Sequence, residues 1–97
     1  MRSLVFSPEA QADISDIWDY TVREWGHLQA QKYNRQLEEA ALSLLESSLP
    51  GLSAEHVRTG YRKFLVGRHA MYFRLYETQV EVVRILHSSM DVEAHLD

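Results

Sequence analysis

The chain has 97 residues, 45% of them hydrophobic, with a formal net charge of −4 and no cysteine. This length makes one domain with one core, and a protein so small buries only about two-thirds of its unfolded surface, so little of the chain is spare loop. The composition excludes disulfides and thiolate metal sites and fits a reducing cytoplasm; "MRSLVFSPEA" lacks the apolar segment of a signal peptide, and no apolar run approaches the roughly 20 residues that span a bilayer.

In chain order, "SLVFS" reads as a short strand from Ser3 to Ser7. Ser7 suits a helix cap, Pro8 the first helical position, and Glu9 the positive end of the helix dipole. Behind them Ala10, Ile14, Ile17, Trp18, Val22 and Trp25 recur at helical spacing, with Gln11, Asp13, Asp16, Asp19 and Arg23 on the opposite face. Gly26 ends this helix as a left-handed cap does. A second helix runs from His27 to about Ser47, with Tyr33, Leu37, Ala40, Ala41, Leu44 and Leu45 as its buried stripe. The link is so short that the two helices run antiparallel. Pro50-Gly51 marks a turn.

From Val57 the period changes to that of strands. "VRTGYRKFLV", "RHAMYFRLY" and "QVEVVRILH" are rich in β-branched and aromatic residues, with hairpin-sized breaks at Gly67 and at Glu77-Thr78-Gln79. Gly60 inside the first of these strands marks a bulge. The order is β-α-α-β-β-β with a short C-terminal helix. It defines an α+β fold, a helical hairpin packed on one face of a small, mainly antiparallel sheet, as a single domain over residues 1–97. The last strand is apolar on both sides, Val80 and Val82 pointing one way and Val83 and Ile85 the other. Two helices cover only one face of so small a sheet. The other face is either scattered exposed apolar surface or a site that a partner covers.

Charge is unevenly placed. Residues 1–56 hold four Lys/Arg against nine Asp/Glu, residues 57–87 hold six against two, and residues 88–97 hold three acids and no Lys/Arg. A basic segment between acidic ones suits an acidic partner.

Three patterns bear on chemistry. His87, Asp91 and His95 recur every four residues, as metal ligands on one helical face would. However, Ser88 and Ser89 follow a strand, so the tail reads as a strand end, an Asp91 cap and a short helix, and no metal or other cofactor is expected. Asp13, Asp16 and Asp19 read as a solvated face rather than a cation site. RNA cleavage needs an acid–base pair and cations, for which His69, His87 and the arginines are candidates. Arg84 and His87 lie three apart on a strand and face opposite sides unless a bulge intervenes. There is no P-loop, no dinucleotide fingerprint and no strained nucleophile turn. The helical hairpin lies in the most acidic part of the chain, which does not suit a DNA-reading unit.

"FSPEAQADISDIWDYTVREWG", "QAQKYNRQLEEAALSLLE", "RTGYRKFLVGRHAMYFRL" and "VEVVRILHSSMDVEAHL", taken in order, resemble the ParE-type toxins of the RelE/ParE superfamily over nearly the whole chain. The resemblance implies the toxin of a two-gene toxin–antitoxin module of the plasmid-stabilising kind. It would be silenced by a ParD-like antitoxin in a hetero-oligomer, act on DNA gyrase, and neither bind DNA alone nor associate with membranes. On that reading no catalytic residues are expected. The RelE-type alternative is ribosome-dependent mRNA cleavage, which would use Arg68, Arg84 and His87; only Lys63 stands where such nucleases carry a set of lysines. The antitoxin is expected on the sheet, at Arg58, Tyr61, Arg62, Arg68, Tyr72, Arg74, Val82 and Arg84, with arginines meeting its carboxylates.

Overall fold

A computed structural model describes residues 2–96. The elements are β1 (Ser3–Phe6), α1 (Pro8–Trp25), α2 (His27–Ser43), β2 (Leu52–Ser53), β3 (Tyr61–Val66), β4 (His69–Leu75) and β5 (Gln79–His87), followed by a single 3-10 turn at Val92–Ala94. The strands form one sheet in the order β1-β5-β4-β3-β2. β1 runs parallel to β5, and the other pairs are antiparallel. The α+β architecture with a helical hairpin on one face is as the sequence implies. The two-residue strand β2 is an addition, too short to carry an alternating pattern.

Local chemistry sets the helix ends. Ser7 Oγ accepts the Ala10 N–H at 3.0 Å and donates to the Val83 carbonyl at 2.7 Å, so one hydroxyl both caps α1 and ties it to β5. Gly26 (φ 88°, ψ 172°) joins the helices alone. Its N–H bonds to Val22 O, and its carbonyl accepts from Ala30 N. Its positive φ is as expected, although its ψ is extended rather than left-handed helical. α2 stops at Ser43, but the apolar stripe continues in Leu44, which is fully buried.

The main core lies between the hairpin and the sheet. Ala10 on α1 and Leu37, Ala40 and Ala41 on α2, followed by Leu44, pack on Met71, Phe73, Val80, Val82 and Ile85. Trp25, expected in the buried stripe, is 71% exposed at the hairpin tip. One irregularity in β5 reassigns its faces. Tyr72 pairs with Arg84 but Phe73 pairs with Val82, so Val83 has no partner and forms a bulge. The extra residue shifts the alternation by one. Val82 and Ile85 therefore share the helix-covered face, while Val83 and Leu86 lie on the other. The expected bulge at Gly60 is instead a positive-φ residue (φ 84°) ahead of β3.

The second face is not bare. Tyr61, Ala70, Tyr72 and Leu86 are buried there under Ala54 and Leu96, flanked by Val57, Val83 and Val92. The chain's own C-terminal tail covers much of the surface for which the sequence suggested a partner.

Candidate functional site

Tyr33, His69 and His87 meet at one end of the sheet. His69 opens β4 and His87 closes β5, and the register sets them directly opposite each other. Both project to the helix side, two residues from Met71 and Ile85 respectively, which lie in the main core. Their rings meet edge to face with centroids 5.3 Å apart. From α2, the Tyr33 hydroxyl lies 2.5 Å from His69 Nδ1, accepts the Arg68 N–H at 3.2 Å and stands 3.2 Å from the Val66 carbonyl. It has one proton, so it serves either the carbonyl or an unprotonated Nδ1; when it serves the carbonyl, His69 donates from Nδ1. His87 Nδ1 accepts the Ser89 N–H at 3.2 Å, which leaves Nε2 as the protonated nitrogen of the neutral ring.

Burial pushes the His69 pKa below the usual histidine range, and His87 lowers it further, against an opposing pull from Asp13. Burial raises the Tyr33 pKa against the hydrogen bond and charge of Arg68. Because His69 is protonated more readily unfolded than folded, its contribution to stability is complete above about pH 6.5 and is lost as pH falls through that value toward the lower folded-state pKa. Thermal unfolding at about pH 7.5 and about pH 5.5 is therefore expected to show a larger acid loss in the wild type than in His69→Gln. Equal losses in the two proteins would contradict the lowered pKa.

Beside this cluster, Arg84 forms a bidentate pair with Asp13, Nε to Oδ2 at 2.8 Å and Nη2 to Oδ1 at 2.9 Å. Asp13 Oδ2 also accepts the Ile85 N–H at 2.8 Å. The pairing of β1 with β5 ends at Phe6, so the edge of β5 beyond Val82 has no strand neighbour there. Ser7 Oγ and the Asp13 carboxylate supply the missing partners to Val83 O and Ile85 N. Asp13 is thus not part of a solvated acidic row, while Asp16 and Asp19 remain exposed.

The residues expected to carry function are distributed as follows. Arg68 and His87 share the cluster's end of the sheet, where Ser88 N bonds to Arg68 O; Arg68 is exposed. The bulge precedes Arg84, so Arg84 and His87 do leave β5 on opposite sides, and the Arg84 guanidinium turns to Asp13 and to the His95 carbonyl. Arg58 Nη2 donates to the Leu96 carbonyl at 2.6 Å, and Arg62 holds the Pro50 and Gly51 carbonyls. The Arg74 guanidinium lies 5.5 Å from the ring centroids of both Tyr61 and Tyr76, a cation–π arrangement. Tyr61 and Tyr72 are buried beneath the tail. Val82 requires correction as a partner contact: it is 0% exposed in the core beneath the helices, on the face it shares with Val80 two residues earlier. His87 lies in β5 and Asp91 precedes the 3-10 turn, so the regularly spaced His87, Asp91 and His95 do not share a helical face. Among the described residues no group of three or more His, Asp or Glu side chains is placed to hold a metal. Tyr33 was missed because its helical spacing reads as core; its second role depends on a hairpin tip 33 residues away.

The chain is a two-layer α+β domain with a polar tyrosine–histidine cluster at one end of its sheet. Residues 4–92 match the family model described as "ParE toxin of type II toxin-antitoxin system, parDE", and the chain belongs to that family. It is 38% identical over 96 residues to "Toxin ParE1" of Caulobacter vibrioides, covering 99% of each chain. It is 39% identical over 93 residues to "Toxin ParE1" of Mycobacterium tuberculosis, covering 95% of each. In fold it is similar to a chain of the "Chromosomal ParDE TA system from P. aeruginosa", with a TM-score of 0.81 at 24% identity over 90% of this chain and 96% of that one. Similarity to YafQ from E. coli is more distant, with a TM-score of 0.55 at 13% identity over 92% and 96% of the two chains. No helix among the described residues is long and apolar enough to cross a membrane.

Proposed function

We propose that this toxin is neutralised in a hetero-oligomer by a ParD-like antitoxin and acts in the cytoplasm by inhibiting DNA gyrase, not by cutting mRNA and not by binding DNA itself. The observation that carries this choice is the engagement of Arg84 by Asp13. Phosphoryl transfer requires cations converging on the phosphate beside an acid–base pair. Of the three nuclease candidates, Arg84 is held by a carboxylate and a carbonyl, which leaves Arg68 and His87. Lys63 alternates with Tyr61 and lies on the second face, away from the histidines. The acidic chain also suits a protein target better than a ribosome. Family membership and the similarity in fold to a chain of the P. aeruginosa ParDE system support the antitoxin.

The test is a gyrase supercoiling assay with purified toxin, with and without its antitoxin. Inhibition that the antitoxin relieves is expected. His87→Ala is expected to retain that inhibition and to keep growth arrest within about threefold, since a nuclease losing its acid–base group would fall by roughly 10²-fold or more. Unaffected gyrase, together with mRNA cleavage that His87→Ala abolishes, would overturn the proposal.

A further inference from the structure

Ser88 N bonds to Arg68 O just outside the His69–His87 pair, so the two histidines stand at a non-hydrogen-bonded position of the antiparallel ladder. Side chains approach most closely at such positions, where directly opposed Cβ atoms are about 4.5–5.5 Å apart. Both side chains leave the sheet on the same side, and both are only half-buried, so solutes reach them. The ring nitrogens are not equivalent. On each ring Nδ1 is taken by a neighbour on its own side: the Tyr33 hydroxyl at 2.5 Å for His69 and Ser89 Oγ at 2.7 Å for His87. Nε2 is the nitrogen left for a ligand on both rings. Ligating histidines almost always have their second nitrogen held by such a partner, which fixes the ring and its tautomer.

The spacing of the rings fits as well. An imidazole nitrogen bonds zinc at about 2.0–2.1 Å, which puts the ring centroid roughly 3.2 Å from the ion. Two rings at the tetrahedral angle then have centroids about 5.2 Å apart. The centroids of His69 and His87 are 5.3 Å apart, with an interplanar angle of 83°. Near-perpendicular planes are compatible with a shared ion, because each ring can turn about its own metal–nitrogen bond.

We infer that His69 and His87 form a divalent transition-metal site, both binding through Nε2, with water completing the coordination. Imidazole donors suit zinc, copper(II) and nickel and disfavour the oxygen-seeking calcium and magnesium. Two protein ligands are one short of a catalytic zinc centre, so this is an exchangeable site and not a resident cofactor. Binding selects one arrangement of protons. His69 Nδ1 donates to Tyr33, whose own proton goes to the Val66 carbonyl 3.2 Å away. On His87 the ring proton passes from Nε2 to Nδ1, where Ser89 Oγ accepts it and the Ser89 N–H is released. The ion ties the start of β4 to the end of β5 and, through Tyr33, ties both to α2. The site is independent of the toxin's target.

The test is calorimetric titration of the full-length protein with zinc, copper(II) and magnesium chlorides, beside imidazole proton–nitrogen correlation spectra with zinc. One equivalent of zinc or copper is expected to bind, copper more tightly, and magnesium is expected not to bind. The spectra are expected to show zinc on Nε2 of both rings, with Nδ1 protonated. His69→Gln and His87→Gln are each expected to weaken binding by about a hundredfold, because the chelate is lost. Tyr33→Phe removes only the partner of His69 Nδ1 and is expected to weaken binding by about tenfold. His56→Gln, at an exposed residue outside the cluster, is expected to leave binding unchanged. No saturable binding below about 1 mM, binding retained by the double histidine variant, or zinc-loaded spectra in which either Nε2 keeps its proton each overturns the site. The wild-type titration and spectra decide the matter alone where a variant does not fold.

Discussion

Asp13→Ala is expected to be among the most damaging single substitutions outside the apolar core, lowering the melting temperature by about 10–20 °C. The carboxylate has three partners, two guanidinium nitrogens of Arg84 and the Ile85 N–H. The side chains are only 12% and 21% exposed for Asp13 and Arg84, so water replaces the lost partners poorly. Removing one member of a buried pair leaves the other charge uncompensated, at a cost of about 3–5 kcal/mol, and orphaning a strand-edge N–H adds about 1 kcal/mol or more. Residual exposure of Arg84 lets its guanidinium turn toward solvent, which reduces the total to about 3 kcal/mol. In a domain of this size each kcal/mol moves the midpoint by about 4–8 °C. Asp13→Asn separates the two roles. Its amide oxygen can still accept from Ile85, so it is expected to recover about a third of the loss. Thermal unfolding of the two variants beside Arg84→Met checks the assignment. If Asp13→Ala unfolds within about 3 °C of the wild type, the pair does not hold α1 to β5 as described.

The same pair shows where sequence reasoning succeeds and where it stops. Helix ends follow from nearest neighbours, so Ser7, Pro8 and Gly26 mark α1 and its junction with α2 without knowledge of the fold. Hairpins are equally local, and Gly67 lies between β3 and β4 as its residue type implies. The role of Asp13 is not local. Its helical position matches those of Asp16 and Asp19, and what distinguishes it is the end of β1 opposite Ile85, 72 residues away. The β5 bulge is invisible for a related reason. "VEVVRILH" is apolar at Val82, Val83 and Ile85, so either register buries a plausible set, and only pairing with β4 places the extra residue at Val83. The extra residue brings Ile85 onto the core face that Val80 and Val82 already share, while Val82, expected as a partner contact, lies in the core by ordinary alternation with Val80. The tail illustrates a third limit. Its composition suggested a cap and a short helix, but not that Leu96 would cover the apolar side of the sheet.

Gly51→Ala is expected to cost about 3 kcal/mol or more, and Gly67→Ala about 1–2 kcal/mol, although both residues have positive φ. Gly51 has φ 71° and Gly67 φ 56°, so the dihedral penalty for a side chain is similar at the two sites. The surroundings decide the difference. A Cβ at Gly51 would collide with the Lys63 carbonyl oxygen and come within 3.1 Å of Phe73 Cζ. The first obstacle is strand backbone and the second a fully buried ring, so neither can move aside. Pro50 and Gly51 are also fixed through their carbonyls by Arg62 at 2.7 and 3.0 Å. Relief of the clash therefore has to pull β2 away from β3. At Gly67 the new Cβ would meet Tyr33 at Cε1 (2.6 Å) and the hydroxyl (2.7 Å), the far end of one side chain that can swing outward. That movement sacrifices the Tyr33 contacts to His69 and Arg68 N, so the loss falls on the histidine cluster rather than on the sheet. Introducing Gly67→Ala into a Tyr33→Ala background should then cost only the backbone penalty, about 1 kcal/mol, and the coupling between the two positions measures the clash. No partner deletion is expected to rescue Gly51→Ala, because its obstacle is main chain. Denaturant midpoints for the wild type and these four variants give both answers. A Gly51→Ala protein as stable as Gly67→Ala would mean that β2 yields freely and plays no part in closing the sheet.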